Sequence, residues 1–325
     1  MLPRPAFALP LRAALACAAL AALAFLPACG GGAGQQARSE SYSSGQAAIA
    51  VDASVQPAVA PIAAAFQQNY PDAQLSLHTA PEGEAVRLLL ADSVRLAVLP
   101  RQLSAAEQAQ LAAAKAGVRH TVLGLDAIAL ITHPANPDTA LTLGQVVALL
   151  RGQARTWQAL GRRTRGADSL RIVVDHPRSS IARFLADSLL RGQALPPQIS
   201  SLQTTAAVVD YVAQNKNAIG LVGLAWVADE SDSTTNRFLA RVRVLNLAAS
   251  DSARPVKPYQ FNLANGSYPL RRVLYLANRE PRMGPATGFA NFATGDIGQR
   301  ILYQRELLQA IRLTRQIRLV PGNVE

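Results

Sequence analysis

Apolar and polar positions along the chain follow two periods. AAIAV (47–51) is a short apolar run of strand type, and QLSLHT (74–79) alternates with a period of two. Between them, behind Pro57, residues Val59, Ile62, Ala63, Phe66 and Tyr70 recur at helical spacing. EAVRLLLAD (84–92) predicts a helix and VRLAVLP (94–100) a strand. SAAEQAQLAAAKAG (104–117) predicts a helix that opens on a Ser104/Glu107 capping box and stops at Gly117. VRHTVLGLDAIALITH (118–133) is a long β-prone run interrupted at Gly124.

The alternation continues. Asn136-Pro137-Asp138 marks a loop, and LTLGQVVALLRG (141–152) reads as a short helix capped by Thr142. RTRGAD (163–168) is a polar connection, LRIVV (170–174) a strand, and SSIARFLADSLL a helix. Thr204–Lys216 predicts a helix, NAIGLVGLAWV (217–227) a glycine-containing strand and DESDSTTN (229–236) a loop. ARVRVLNL (240–247) and Tyr268–Asn278 read as strands, Gly288–Gln309 as helix, and the tail 311–320 alternates again. Repeated strand–helix units predict an α/β chain with mainly parallel sheets flanked by helices. Breaks near 134–138 and 251–258 suggest two lobes with a ligand cleft between them. One lobe is expected from 47–130 and 259–325, the other from 131–258. A single doubly wound domain also fits the pattern.

The first 28 residues stand apart. Arg4 and Arg12 precede a small-residue apolar run that ends in Leu26-Pro27-Ala28-Cys29, the layout of a secretory signal. The Cys after Leu-x-Ala, followed by three glycines, resembles a bacterial lipoprotein box. It implies a lipidated Cys29 and an exported, membrane-anchored protein facing the periplasm or cell exterior. Cys17 is the only other cysteine and lies in the discarded segment, so no disulfide is expected. Residues 29–46, rich in Gly, Ser and Gln, read as a flexible tether.

With 325 residues, half hydrophobic and 16% charged, the chain can bury a large core. Its formal charge of +11 comes mostly from scattered Arg, without a basic run and with few aromatics, which argues against nucleic acid. Walker, Gly-x-Gly-x-x-Gly, Gly-x-Ser-x-Gly and His-Glu-x-x-His motifs are missing from the sequence. His78, His120, His133 and His176 lack ligand spacing, so neither metal nor cofactor is expected. Asp175-His176 is a poor catalytic pair, because neighbours on an extended chain point opposite ways. No enzyme is predicted.

Three strand-to-helix junctions do suggest chemistry: VDASVQP (51–57), VLPRQLS (98–104) and DHPRSSI (175–181). In a parallel sheet such junctions gather at the carboxyl edges of the strands. Ala53, Ser54, Ser179 and Ser180 offer N–H and hydroxyl donors there, and Arg101 and Arg178 offer charge. Each junction alone is an ordinary helix cap; together they point to a tetrahedral or carboxylate anion.

Over roughly 47–320 the chain resembles the substrate-binding component of phosphate ABC importers, which have the type II periplasmic-binding-protein fold. IAVDASVQPAVAPIAAAF occupies the place of the family's first phosphate loop, and RLAVLPRQLSAAE that of its Ser-Arg or Ser-Asp segment. DAIALITHPANPDTALTLGQVVALLRGQARTWQAL resembles the segment ending in a Trp, here Trp157. SSIARFLADSLL matches the Ser-Gly-Thr helix start, and NAIGLVG the later strand. The resemblance implies that Ser54 replaces a loop Thr and that Ser179 keeps its hydroxyl. Ser180 stands for Gly and Ile181 for Thr, so the ligand set includes both. Asp175 stands where the family commonly has Arg, Arg101 keeps the Arg of the Ser-Arg form, and Ala80–Glu84 replace the second-loop glycines. Asp175 and Glu82 are candidate acceptors for the proton of a protonated oxyanion, or structural groups. The implied function is capture of phosphate or a similar oxyanion for a membrane permease, by a monomer. The alternative is a sensor or scaffold lipoprotein with weak or altered binding.

Overall fold

The computed structural model describes residues 40–161, 169–281 and 283–310. The signal segment, Cys29, most of the tether, the 163–168 connection and the 311–320 tail lie outside the described residues.

Twelve strands are present among them: β1 Gly45–Asp52, β2 Ala73–Ala80, β3 Leu96–Leu99, β4 Arg119–Thr132, β5 Ala140–Thr142, β6 Arg171–Val174, β7 Ile199–Ser201, β8 Ala218–Gly223, β9 Arg243–Val244, β10 Asn246–Ala248, β11 Arg271–Asn278 and β12 Leu308–Gln309. The α-helices are α1 Gln56–Asn69, α2 Glu82–Leu90, α3 Ala105–Ala113, α4 Leu143–Leu150, α5 Ser180–Phe184, α6 Thr205–Gln214, α7 Ser233–Leu239, α8 Gln260–Ala264, α9 Pro285–Thr294 and α10 Asp296–Gln304. One sheet runs β2-β1-β3-β11-β4-β8-β6-β7, with β9 and β12 also on β4; β5 and β10 pair separately. Its outer parts are parallel (β2-β1-β3 and β8-β6-β7), while β11 and β4 run antiparallel to their neighbours at the centre.

Local chemistry explains most boundaries. The Ser104/Glu107 capping box forms, with Ser104 N–H donating to Glu107 at 2.7 Å. Thr142 caps α4 through a second box with Gln145. Pro57 sits in the first turn of α1, where its missing N–H costs nothing, and Val59, Ile62, Ala63 and Phe66 are buried as their spacing predicts. Three expected elements break in the fold, one of them the 240–247 strand, which splits into β9 on β4 and β10 on β5. The 217–227 run ends as a strand at Gly223 and turns through Leu224–Trp226. The expected Gly288–Gln309 helix is two helices separated at Gly295, followed by β12, because Gly295 is extended and serves as C-cap of α9 and N-cap of α10.

The core divides along the centre of the sheet. Ala127 to Leu270 supply one cluster, including Ile128, Val173, Ile181, Trp157 and Tyr268. The outer segments supply two others, around Ile49, Phe66, Leu276 and Phe289, and around Leu89, Leu99 and Leu111. The chain passes between these cores along β4 and β11. At that passage Arg272 is the direct cross-strand partner of Asp126.

Candidate functional site

The passage between the cores holds a buried polar cluster. Asp52 ends β1, and its Oδ1 accepts the Ser54 N–H at 2.9 Å, an Asp-x-Ser turn that starts the short helical turn Ala53–Val55. The Ser54 hydroxyl donates to the same oxygen. From the other core, the Ser180 hydroxyl also donates to Asp52 Oδ1, at 3.0 Å, and lies 3.1 Å from Ser54 Oγ. Arg272 closes the cluster from below. Its Nη1 donates to Ser180 Oγ at 2.9 Å, its Nη2 to Ser54 Oγ at 3.0 Å, and Nη2 pairs with Asp126.

These bonds have one consistent polarity. The guanidinium donates to two hydroxyls, and both hydroxyls donate onward to a carboxylate. All five side chains are at most 3% exposed. One guanidinium faces two carboxylates, so burial dominates their titration. Burial raises Asp52 from 3.8 to about 6; Arg272 and the Ser54 hydroxyl oppose the rise, while Glu82 and Asp175 add to it. Burial likewise raises Asp126, against the pull of Arg272. Oδ2 of Asp52 has no hydrogen-bond partner among the described residues.

The two halves also touch around this cluster. Trp226 Nε1–H donates to the Ala53 carbonyl at 2.9 Å. Gly223 approaches so closely that a Cβ there would lie 2.0 Å from the Ser54 carbonyl oxygen. That contact is why a glycine ends β8.

A second polar group sits at the rim. Glu82 on α2 is buried and bridges two arginines, accepting from Arg101 Nε at 2.7 Å and from Arg183 Nε and Nη2 at 2.6 and 3.1 Å. Arg101 also forks onto Glu107 at 2.6 and 2.9 Å. Burial would raise Glu107, but Arg101 and the Ser104 N–H outweigh it and hold the carboxyl down at about 2. Gly83 N–H donates to the Arg178 carbonyl at 3.1 Å. A groove of ≈ 550 Å³ opens here, lined by Glu82, Arg101, Arg178, Ser179, Arg183 and, further out, Pro196.

The residues expected from the sequence fall into three groups. Ser54 and Ser180 meet in the buried cluster, and Ala53 adds its carbonyl contact to Trp226. Glu82, Arg101 and Arg178 belong to the rim. Ser179 is the helix cap: its Oγ accepts Ala182 N–H at 3.2 Å and its hydroxyl serves Asp175. Burial raises Asp175 despite that bond. Ile181 is fully buried in the middle-segment core.

Sequence reading passed over Asp52, Asp126 and Arg272. Asp52 stood beside the chosen Ser54, and its signal was the Asp-x-Ser cap pattern. Asp126 interrupts an apolar β run, which marks a charge needing a partner. Arg272 is that partner, yet only the strand register joins residues so far apart.

A model of the PBP superfamily domain matches residues 36–296. The phosphate-binding protein PstS of Pseudomonas aeruginosa is 26% identical over 231 residues, covering 66% of this chain and 67% of that one. PstS of Bacillus subtilis is 24% identical over 281 residues, 83% of each chain. Among solved structures, a putative phosphate ABC transporter substrate-binding protein with bound phosphate from Clostridium perfringens superposes with a TM-score of 0.69 at 21% identity, covering 82% of this chain and all of that one. A phosphate transport receptor from Vibrio cholerae gives 0.60 at 18% identity, covering 81% and 99%. These likenesses identify the architecture as the two-lobed type II periplasmic-binding-protein fold. With the domain match spanning most of its length, the chain belongs to the PBP superfamily.

Proposed function

We propose that the chain is an extracytoplasmic solute-binding protein that captures phosphate or a related oxyanion between its lobes and delivers it to an ABC importer. The carrying observation is the convergence of Ser54, Ser180 and Arg272, from three separate elements, on one buried point. Two hydroxyls and a guanidinium are the donor set for a tetrahedral anion. The relatives, which are phosphate-binding and phosphate-transport proteins, support that ligand class.

In this reading 131–258 forms one lobe, and 47–130 with 259–325 the other. The division of the core, with crossings near Ala127 and Leu270, supports this division in outline. Cys29 carries the lipid anchor, the tether expected over 29–46 ends where β1 begins at Gly45, and the protein acts as a monomer that a permease recognises. No helix among the described residues is long and apolar enough to cross a membrane. Ala53, Arg101, Arg178, Ser179 and Ile181 shape the walls and rim, and Asp175 and Glu82 serve as acceptors.

Calorimetry of the domain, stripped of anions, tests the ligand. Saturable 1:1 binding of phosphate, arsenate, sulfate or molybdate is expected. No heat and no thermal stabilisation with any of them would overturn the reading. A second reading, a sensor or scaffold of the same fold, draws on Asp52: a carboxylate already holds the donors.

A further inference from the structure

Asp52 is a buried carboxylate held by the donors that an oxyanion needs. Its Oδ1 takes the Ser54 N–H, the Ser54 hydroxyl and the Ser180 hydroxyl, three donors from both halves of the chain. The geometry is that of a bound anion, with the anion supplied by the chain. Arg272, the one cation among the described residues in direct contact with the hydroxyls, is already shared with Asp126. Counting Asp52 and Asp126 as ionised against Arg272, the cluster is one negative charge in excess. A further anion placed there meets two carboxylates and one guanidinium in a low-dielectric site, where repulsion is little screened.

We infer that Asp52 is the built-in competitor of the cleft, a specificity residue whose carboxylate must be displaced from Ser54 and Ser180 before an oxyanion is held there. The inference rests on the oxyanion-receptor reading above. It adds that selection and affinity are set by this internal anion.

The groups facing Asp52 are Arg272 from β11 with its partner Asp126 from β4, Glu82 from α2, and Asp175 from the junction of β6 and α5. Of these charged groups only Arg272 favours the ionised form, and the hydroxyl of Ser54 favours it too. Protonating Asp52 removes the excess negative charge and frees the hydroxyls to turn toward a ligand. Uptake of the oxyanion is therefore linked to uptake of a proton.

The experiment compares wild type with Asp52→Asn and Asp52→Ser, each checked by circular dichroism and thermal melting. Phosphate and sulfate are titrated by calorimetry at pH 8 and pH 5.5. Sulfate keeps its charge across this range, so its pH dependence reports on the protein. Wild type is expected to bind sulfate more tightly at pH 5.5. Asn or Ser at position 52 is expected to tighten binding at pH 8 by about tenfold or more, the scale of one recovered hydrogen bond to a charged group, and to flatten the pH dependence. Wild-type binding that is unchanged or weakened by both substitutions would overturn the competitor role while leaving the receptor reading standing. Binding by the variants and none by wild type would support the competitor and overturn the receptor reading for the natural chain. Failure of every protein to bind either anion would overturn both. If both variants prove unfolded, the wild-type sulfate titration decides alone: a pH-independent affinity overturns the inference.

Discussion

Gly223→Ala wedges the two halves of the molecule apart. The new Cβ would lie 2.0 Å from the Ser54 carbonyl oxygen and 2.8 Å from its carbon, whereas ordinary contact begins at 3.4 Å. The gap must therefore widen by about 3.4 − 2.0 = 1.4 Å. Among the bonds that cross here are Trp226 to Ala53 at 2.9 Å, Ser180 to Asp52 at 3.0 Å and Ser54 to Ser180 at 3.1 Å, with Arg272 to Ser180 at 2.9 Å beside them. Stretching each by most of that shift takes it beyond hydrogen-bonding range. At ~1 kcal/mol for the neutral bonds and ~1.5–3 for the bond to a carboxylate, the loss from the first three is about 3–5 kcal/mol. That changes the closed-to-open ratio by more than about 100-fold. The cores on either side are untouched, so far-UV circular dichroism should be retained. Solution X-ray scattering should show a larger radius of gyration. Tryptophan emission should shift red, because Trp226 loses its carbonyl partner while Trp157 stays buried in its core. Unchanged scattering and emission in the folded variant would refute the reasoning, since the halves would then not be held by this contact.

Stability should depend on pH through Asp52. Its carboxyl keeps its proton up to about 6 in the native protein against 3.8 ordinarily, so the native state binds more protons between those values and stability falls as pH rises through that window. The full effect, 6 − 3.8 = 2.2 pH units, is about 3 kcal/mol. Urea melts of wild type and Asp52→Asn should therefore show the variant gaining on wild type from pH 4 to pH 7; a constant difference contradicts the assignment. Glu107, held at about 2, acts with the opposite sign: its contribution is present above its ordinary 4.5 and is lost as pH falls toward 2. It is common to both proteins and cancels in the comparison. Glu82→Gln leaves Arg101 and Arg183 without their shared carboxylate. Both arginines reach solvent, so the expected cost is about 2 kcal/mol rather than the larger penalty of a fully buried pair, read by scanning calorimetry as a fall of about 4–8 °C; an unchanged midpoint would show that the bridge is only decorative.

Much of the architecture was legible because local signals agree with the fold. The Ser104 and Thr142 capping boxes, the apolar stripe of α1 and the long β4 run all carry their own instructions. Gly223 and Gly295 were harder. One ends a strand because another segment approaches it, and the other breaks a helix where the periodic pattern continues. The site was half legible for the same reason. Ser54 and Ser180 lie at strand-to-helix junctions, which sequence can locate. Asp126 and Arg272 lie on two strands whose pairing is a tertiary fact, and a lone charge in an apolar strand does not name its partner. The adjacent serines illustrate the limit most finely. Ser179 and Ser180 look equivalent in the sequence, yet the helix start turns one hydroxyl to the backbone as a cap and the other into the cluster.

An oxyanion receptor of this geometry requires Ser54 and Ser180 to be the hydroxyl donors to the bound anion. Titrating phosphate by calorimetry into wild type, Ser54→Ala, Ser180→Ala and the double variant tests this directly. The prediction is saturable binding by wild type, weakened by about 10- to 100-fold at each single substitution, the value of a hydrogen bond to a charged group, and undetectable in the folded double variant. Equal affinity in all four proteins would place the ligand elsewhere and contradict the account.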